Sequence, residues 1–149
     1  MCFFTGQLGS SAVEHHTILR IVTKLLVPLI MLFALYVHVH ADFGPGGGFQ
    51  AGVIFGAAVI VYGLLFGVVR VKQAAPPAVV RALSACGLLL FAGVGVVTLL
   101  LGGNYLDYDV LAADPPTAQH VGILFVELGV GITVAATMIM LFYAFGSRD

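Results

Sequence analysis

Four long apolar stretches constrain the fold of this sequence more than any other feature. They cover approximately residues 18–39, 49–69, 80–101 and 121–145. A helix needs roughly 20 residues to cross the hydrocarbon core of a bilayer, so each stretch is long enough to span a membrane. Only 9% of the 149 residues are charged, whereas a soluble domain carries about 25%. The sequence therefore predicts an all-α integral membrane protein with four transmembrane helices in one domain, 18–145, and tails at 1–17 and 146–149.

The basic residues predict how the four spans are oriented. All six lie in regions that four spans would place on one side of the membrane, namely Arg20, Lys24, Arg70, Lys72, Arg81 and Arg148. The connections expected on the opposite side contain four aspartates and neither lysine nor arginine. Because Lys and Arg accumulate in cytoplasmic loops, we expect the N- and C-termini to be cytoplasmic.

A glycine-rich segment, "HVHADFGPGGGFQAG" at residues 38–52, joins the first two spans. Proline interrupts a helix, and glycine adopts backbone conformations that other residues avoid. A sharp turn at membrane depth frees backbone polar groups, which protein or water must then satisfy. We expect the turn to be buried against a partner or to line a hydrated cavity. The central part of this segment is called the glycine turn below. It consists of Gly44, Pro45, Gly46, Gly47, Gly48 and Phe49.

Two other interpretations of the glycine turn conflict with its context. A phosphate-binding loop needs a preceding strand and usually a lysine at its end, and neither is present in the sequence. A metal site would require Asp42 and His120 to converge with His38 or His40, and these two histidines lie on different sides of a helix. We therefore expect no metal ion and no other cofactor. The net charge of −1 gives no reason to expect a nucleic acid as a partner.

The second span carries four glycines on one helical face. Their spacings of 4, 7 and 4 residues keep them within about 60° of one another around the helix. Small residues at such spacings allow another helix to approach closely in a membrane. We expect this face to contact protein, either within the chain or in another subunit; it consists of Gly52, Gly56, Gly63 and Gly67.

Glu127 is the one carboxylate deep inside an apolar span. Placing a charged side chain there costs about 2.5–3.5 kcal/mol, so such residues usually have a function or a partner. His120 lies seven positions earlier on nearly the same helical face, and Lys24 is the one basic residue set noticeably inside a span, away from its end. A structural hydrogen bond is the alternative for Glu127, and extension of the side chain to the membrane surface is the alternative for Lys24. The candidates for a proton or cation path are Glu127, His120, His38, His40, Asp42 and Lys24.

These features together resemble a known family. A first span that ends in histidines is followed by the motif PGGGF at residues 45–49 and by Gly52 within the second span. Over about residues 18–145 this pattern is similar to the B subunit of the Mrp (Mnh) multisubunit Na⁺/H⁺ antiporters.

The resemblance implies a non-autonomous subunit of a transport complex, not an enzyme, in the plasma membrane of a prokaryotic cell. Its partners would be the other antiporter subunits and membrane lipid, and the transported ions would be Na⁺ and H⁺. The same domain is similar to small membrane subunits of energy-converting hydrogenase complexes, and a complex of that kind is the first alternative. A purely structural scaffold subunit, without an ionisable role, is the second.

Overall fold

The computed structural model describes residues 7–40, 46–112 and 114–146. Within them it contains five α-helices and a short 3₁₀ helix at Tyr108–Leu111. The α-helices are α1 (Gln7–Val39), α2 (Gly48–Phe66), α3 (Val68–Ala74), α4 (Pro77–Leu100) and α5 (Pro115–Gly146). Segments of α1, α2, α4 and α5 are long and apolar enough to cross a membrane. The predicted all-α fold with four membrane-spanning helices is therefore confirmed.

All four long helices begin before the predicted apolar stretches do, and α1 and α5 do so by the widest margins. α1 begins at Gln7, upstream of the span predicted from residue 18, and α5 begins at Pro115, upstream of residue 121. Apolarity marks only the part of a helix that lipid can cover, whereas the helix itself continues into polar flanking residues. Proline suits the first helical position because the N–H that it lacks would have no partner there.

The four long helices pack as a row in the order α1, α2, α5 and α4. α2 packs against both α1 and α5, and α5 packs against both α2 and α4. α1 and α4 therefore form the two ends of the row, and in the described part of the chain they have no extensive contact with each other. An apolar groove lies between them.

The short helix α3 closes one end of the bundle, called the α3 end below. A cluster of buried residues from α3, α4 and α5 packs there, including Val71, Val80 and Tyr143. The hydroxyl of Tyr143 donates a hydrogen bond of 2.8 Å to the carbonyl oxygen of Ala75. This bond ties the connection between α3 and α4 to the last turns of α5.

The connection between α4 and α5 is held against the opposite end of the bundle. The buried hydroxyl of Thr98 donates to the Gly95 carbonyl oxygen at 2.9 Å and accepts from the Leu106 N–H at 3.0 Å. The ring of Tyr105 lies against Gly95, and the ring of Tyr108 lies against Gly122 on α5. The connection is therefore packed onto the two helices that it joins.

Candidate functional site

The first turn of α2 lies directly against α5 at Glu127. A Cβ atom built on Gly48 would overlap the backbone carbonyl group of Glu127. One built on Gly47 would lie 3.3 Å from Oε1 of the same residue. The two backbones can approach this closely because glycine has no side chain. The structure therefore brings two residues of the glycine turn together with the deep carboxylate.

The glycine face of α2 continues this contact along α5. A Cβ atom on Gly52 would lie 2.5 Å from the carbonyl oxygen of Gly131, and one on Gly63 would overlap the ring of Phe142. Gly56 also faces α5, and all three α2 glycines are buried. In the structure this face therefore packs within the chain.

Gly67 is not part of the packed glycine face of α2, although its spacing predicts that it is. Its φ of 93° ends α2 and begins the turn into α3. A Cβ atom on Gly67 would meet nothing within 4 Å. This glycine is required for a backbone conformation that other residues rarely adopt, not for close helix packing.

The surroundings of Glu127 suit a negatively charged group. Its side chain is half-buried, and its Oε1 lies near Gly47, which directly precedes the first residue of α2. The N-terminus of a helix carries a partial positive charge because its first N–H groups have no partner within the helix. A carboxylate beside it is stabilised by this partial charge.

The three candidate histidines lie in different surroundings. His38 is half-buried and lines the apolar groove between α1 and α4. His40 is exposed, and its ring stacks on Tyr36 with 4.1 Å between ring centroids. His120 is exposed in the first turns of α5. Seven residues of helix separate it from Glu127, roughly 10 Å along the axis.

Lys24 is not part of the site around Glu127. Its Nζ lies 5.5 Å from the ring centroid of Phe66, the last residue of α2, whereas Glu127 contacts Gly48, the first. These two ends of α2 are roughly 27 Å apart along the helix axis. Lys24 is exposed and belongs to the α3 end of the bundle.

The remaining candidates fall into two groups. Gly46 is half-buried and Phe49 is 62% exposed, so Phe49 points away from the packed helices. Asp42, Gly44 and Pro45 lie outside the residues that the structure describes. Among the described residues, no group of three or more His, Cys, Asp or Glu side chains has the arrangement of a metal site.

The glycines of α4 and α5 are not among the predicted site residues. A Cβ atom on Gly129 would lie 2.7 Å from the carbonyl oxygen of Gly87, so α4 and α5 also meet backbone to backbone. Gly131, one turn after Glu127, faces α2. The sequence "ELGVG" at residues 127–131 contains the signal, because glycines two and four positions after the acid allow a helix to approach from each side.

Comparison with known proteins gives two results. Residues 18–140 match the family model described as "Domain related to MnhB subunit of Na+/H+ antiporter". Proteins from the Newman, JH1 and Mu3 strains of Staphylococcus aureus, which carry the provisional name antiporter subunit mnhB2, are each 33% identical to the chain over 135 residues. Each alignment covers 84% of the chain and 95% of the relative.

Proposed function

Because the chain belongs to the family of domains related to the MnhB subunit of Na⁺/H⁺ antiporter, we propose that it is a non-autonomous membrane subunit of a multisubunit Na⁺/H⁺ antiporter. It is a multi-pass protein of a prokaryotic plasma membrane, and it works with the other subunits of the complex and with membrane lipid. The chain spans nearly the whole length of relatives that are named antiporter subunits. The description of the family and the name of these relatives both favour an antiporter over a hydrogenase-type complex.

The contact of Glu127 with Gly47 and Gly48 carries the proposed role of this subunit. The carboxylate is held beside the start of α2, and a titratable group within an apolar span is typical of proton and cation paths. In this proposal Glu127 exchanges a proton or binds a cation. The imidazole of His120, or those of His38 and His40, serves the same path between Glu127 and the outer side of the membrane.

The chain supplies only part of such a path. Glu127 is the one carboxylate within the apolar spans, and a transporter usually combines several polar groups with paired repeats around a central site. The other subunits therefore provide the rest of the exchange machinery, and the chain itself catalyses no chemical reaction.

The experiment compares Na⁺-dependent proton movement in inverted membrane vesicles that contain the complete complex or a complex without this chain. We expect exchange to be lost without the chain and restored when it is supplied again. The purified chain alone in liposomes should exchange no ions. Normal exchange in the complex that lacks the chain, or exchange by the chain alone, would contradict a role as a required, non-autonomous subunit.

A further inference from the structure

The groove between α1 and α4 is a cavity of about 620 Å³ that all five α-helices line. It extends from His38 near the glycine turn to Val71 and Ala74 at the α3 end. Among its described lining residues, only His38 and Tyr62 have polar side chains. The groove therefore offers an apolar surface that runs along the length of the bundle.

Basic residues continue the groove at its α3 end. Arg20 and Lys24 lie on the same face of α1 as the lining residues Val27 and Met31, because the spacings of 3, 4 and 7 residues repeat a helical face. The Arg20 Cζ and Lys24 Nζ atoms lie 5.9 Å and 5.5 Å from the ring centroid of Phe66. Two cationic groups are thereby held near one another at the end of the groove.

α3 carries two further basic residues, Arg70 and Lys72, and the Lys72 Nζ lies 5.7 Å from the ring centroid of Tyr143. Arg70 is exposed and lies one helical turn before the lining residue Ala74. The acidic residues whose side chains the structure describes are in the α4–α5 connection and near the glycine turn, toward the opposite end of the bundle. The α3 end of the groove is therefore positively charged and complements a negatively charged group.

The lining and the charge of the groove together favour a lipid as its occupant. Hydrocarbon chains match its apolar lining. Basic side chains at the end of membrane helices bind lipid phosphate groups.

We propose that this groove binds an anionic phospholipid. The acyl part lies between α1 and α4, and the headgroup phosphate contacts Arg20, Lys24 and Arg70. The lipid then fills the space that the row of helices leaves open, in addition to any role of Glu127 in exchange.

Native mass spectrometry of the complete purified complex tests this site, with phosphatidylglycerol and zwitterionic phosphatidylethanolamine as probes. Lys24→Gln should weaken phosphatidylglycerol retention roughly 5-fold, and Lys24→Gln with Arg20→Gln roughly 30-fold. Arg81→Gln is the matched control, because Arg81 lies at the same end on the opposite face of α4 from Val79, Val80 and Leu83. Phosphatidylethanolamine carries the same phosphate but no net charge, so its retention should fall less than that of phosphatidylglycerol in these variants.

A second variant tests the apolar part of the site without a change in charge. Ala74→Leu should occupy the groove and lower phosphatidylglycerol retention while the complex stays assembled. Equal retention by all variants, or equal loss in Lys24→Gln and Arg81→Gln, would overturn the proposal. Loss of a neighbouring subunit from Ala74→Leu with unchanged lipid would show that a partner helix fills the groove. These readouts do not depend on ion exchange.

Discussion

Gly48 on α2 and Glu127 on α5 meet backbone to backbone, and a Cβ atom on Gly48 would overlap the Glu127 carbonyl group. This contact joins the two most unusual features of the sequence, the glycine turn and the deep carboxylate. It also means that a change in the packing of α2 would move the surroundings of the Glu127 side chain. The geometry of the proposed ion path and the stability of the helix bundle therefore depend on the same glycine.

Gly48→Ala tests this dependence. The added methyl group has no space beside the Glu127 carbonyl, so α2 and α5 must separate, and overpacking of this kind costs about 1–3 kcal/mol. We expect a lower thermal midpoint of the purified complex and weaker ion exchange. Gly93→Ala is the control, because its Cβ atom would meet nothing within 4 Å. Equal stability of Gly48→Ala and Gly93→Ala would show that the close contact does not matter.

Thr98→Val tests how the connection between α4 and α5 is held. The change keeps the shape of the buried side chain and removes the hydroxyl that accepts from the Leu106 N–H. A buried group left without its hydrogen bond costs about 1–3 kcal/mol. Hydrogen exchange of residues 102–112 should therefore become faster. Thr137→Val is the control, because the Thr137 hydroxyl is exposed and bonds only within its own helix. Unchanged exchange in Thr98→Val would contradict the proposed anchoring.

The predicted orientation can be tested with single cysteines. In a background where Cys2 and Cys86 are replaced by serine, Asp109→Cys should react with a membrane-impermeant maleimide in intact cells. Gln73→Cys should react only after the membrane is permeabilised. Both positions are exposed, so burial does not limit labelling. The reverse pattern would place the glycine turn on the cytoplasmic side and overturn the orientation inferred from the basic residues.

The membrane spans could be predicted because lipid selects for length and apolarity, and both are directly visible in a sequence. The spacing of Gly52, Gly56 and Gly63 similarly predicts a close-packed face. The partner of that face could not be predicted, because glycine permits any helix to approach. The structure shows that α5 is the partner, and only this pairing brings Glu127 to the glycine turn. Gly67 has the spacing of the face but serves a turn, because its backbone adopts a positive φ.

The proton or cation path through Glu127 is the central claim, and Glu127→Gln tests it most directly. The amide keeps the size of the side chain and removes its charge and its titration. The exposed Asp109→Asn is the control for loss of one acidic charge. Native gels establish that each complex is assembled before exchange is measured.

The decisive measurement is Na⁺-dependent proton exchange in inverted vesicles that contain equal amounts of assembled complex. We expect Glu127→Gln to lower exchange more than about tenfold, as loss of a positioned proton-transfer group does, and Asp109→Asn to leave it unchanged. Normal exchange by an assembled Glu127→Gln complex would contradict the account and assign the chain a purely structural role.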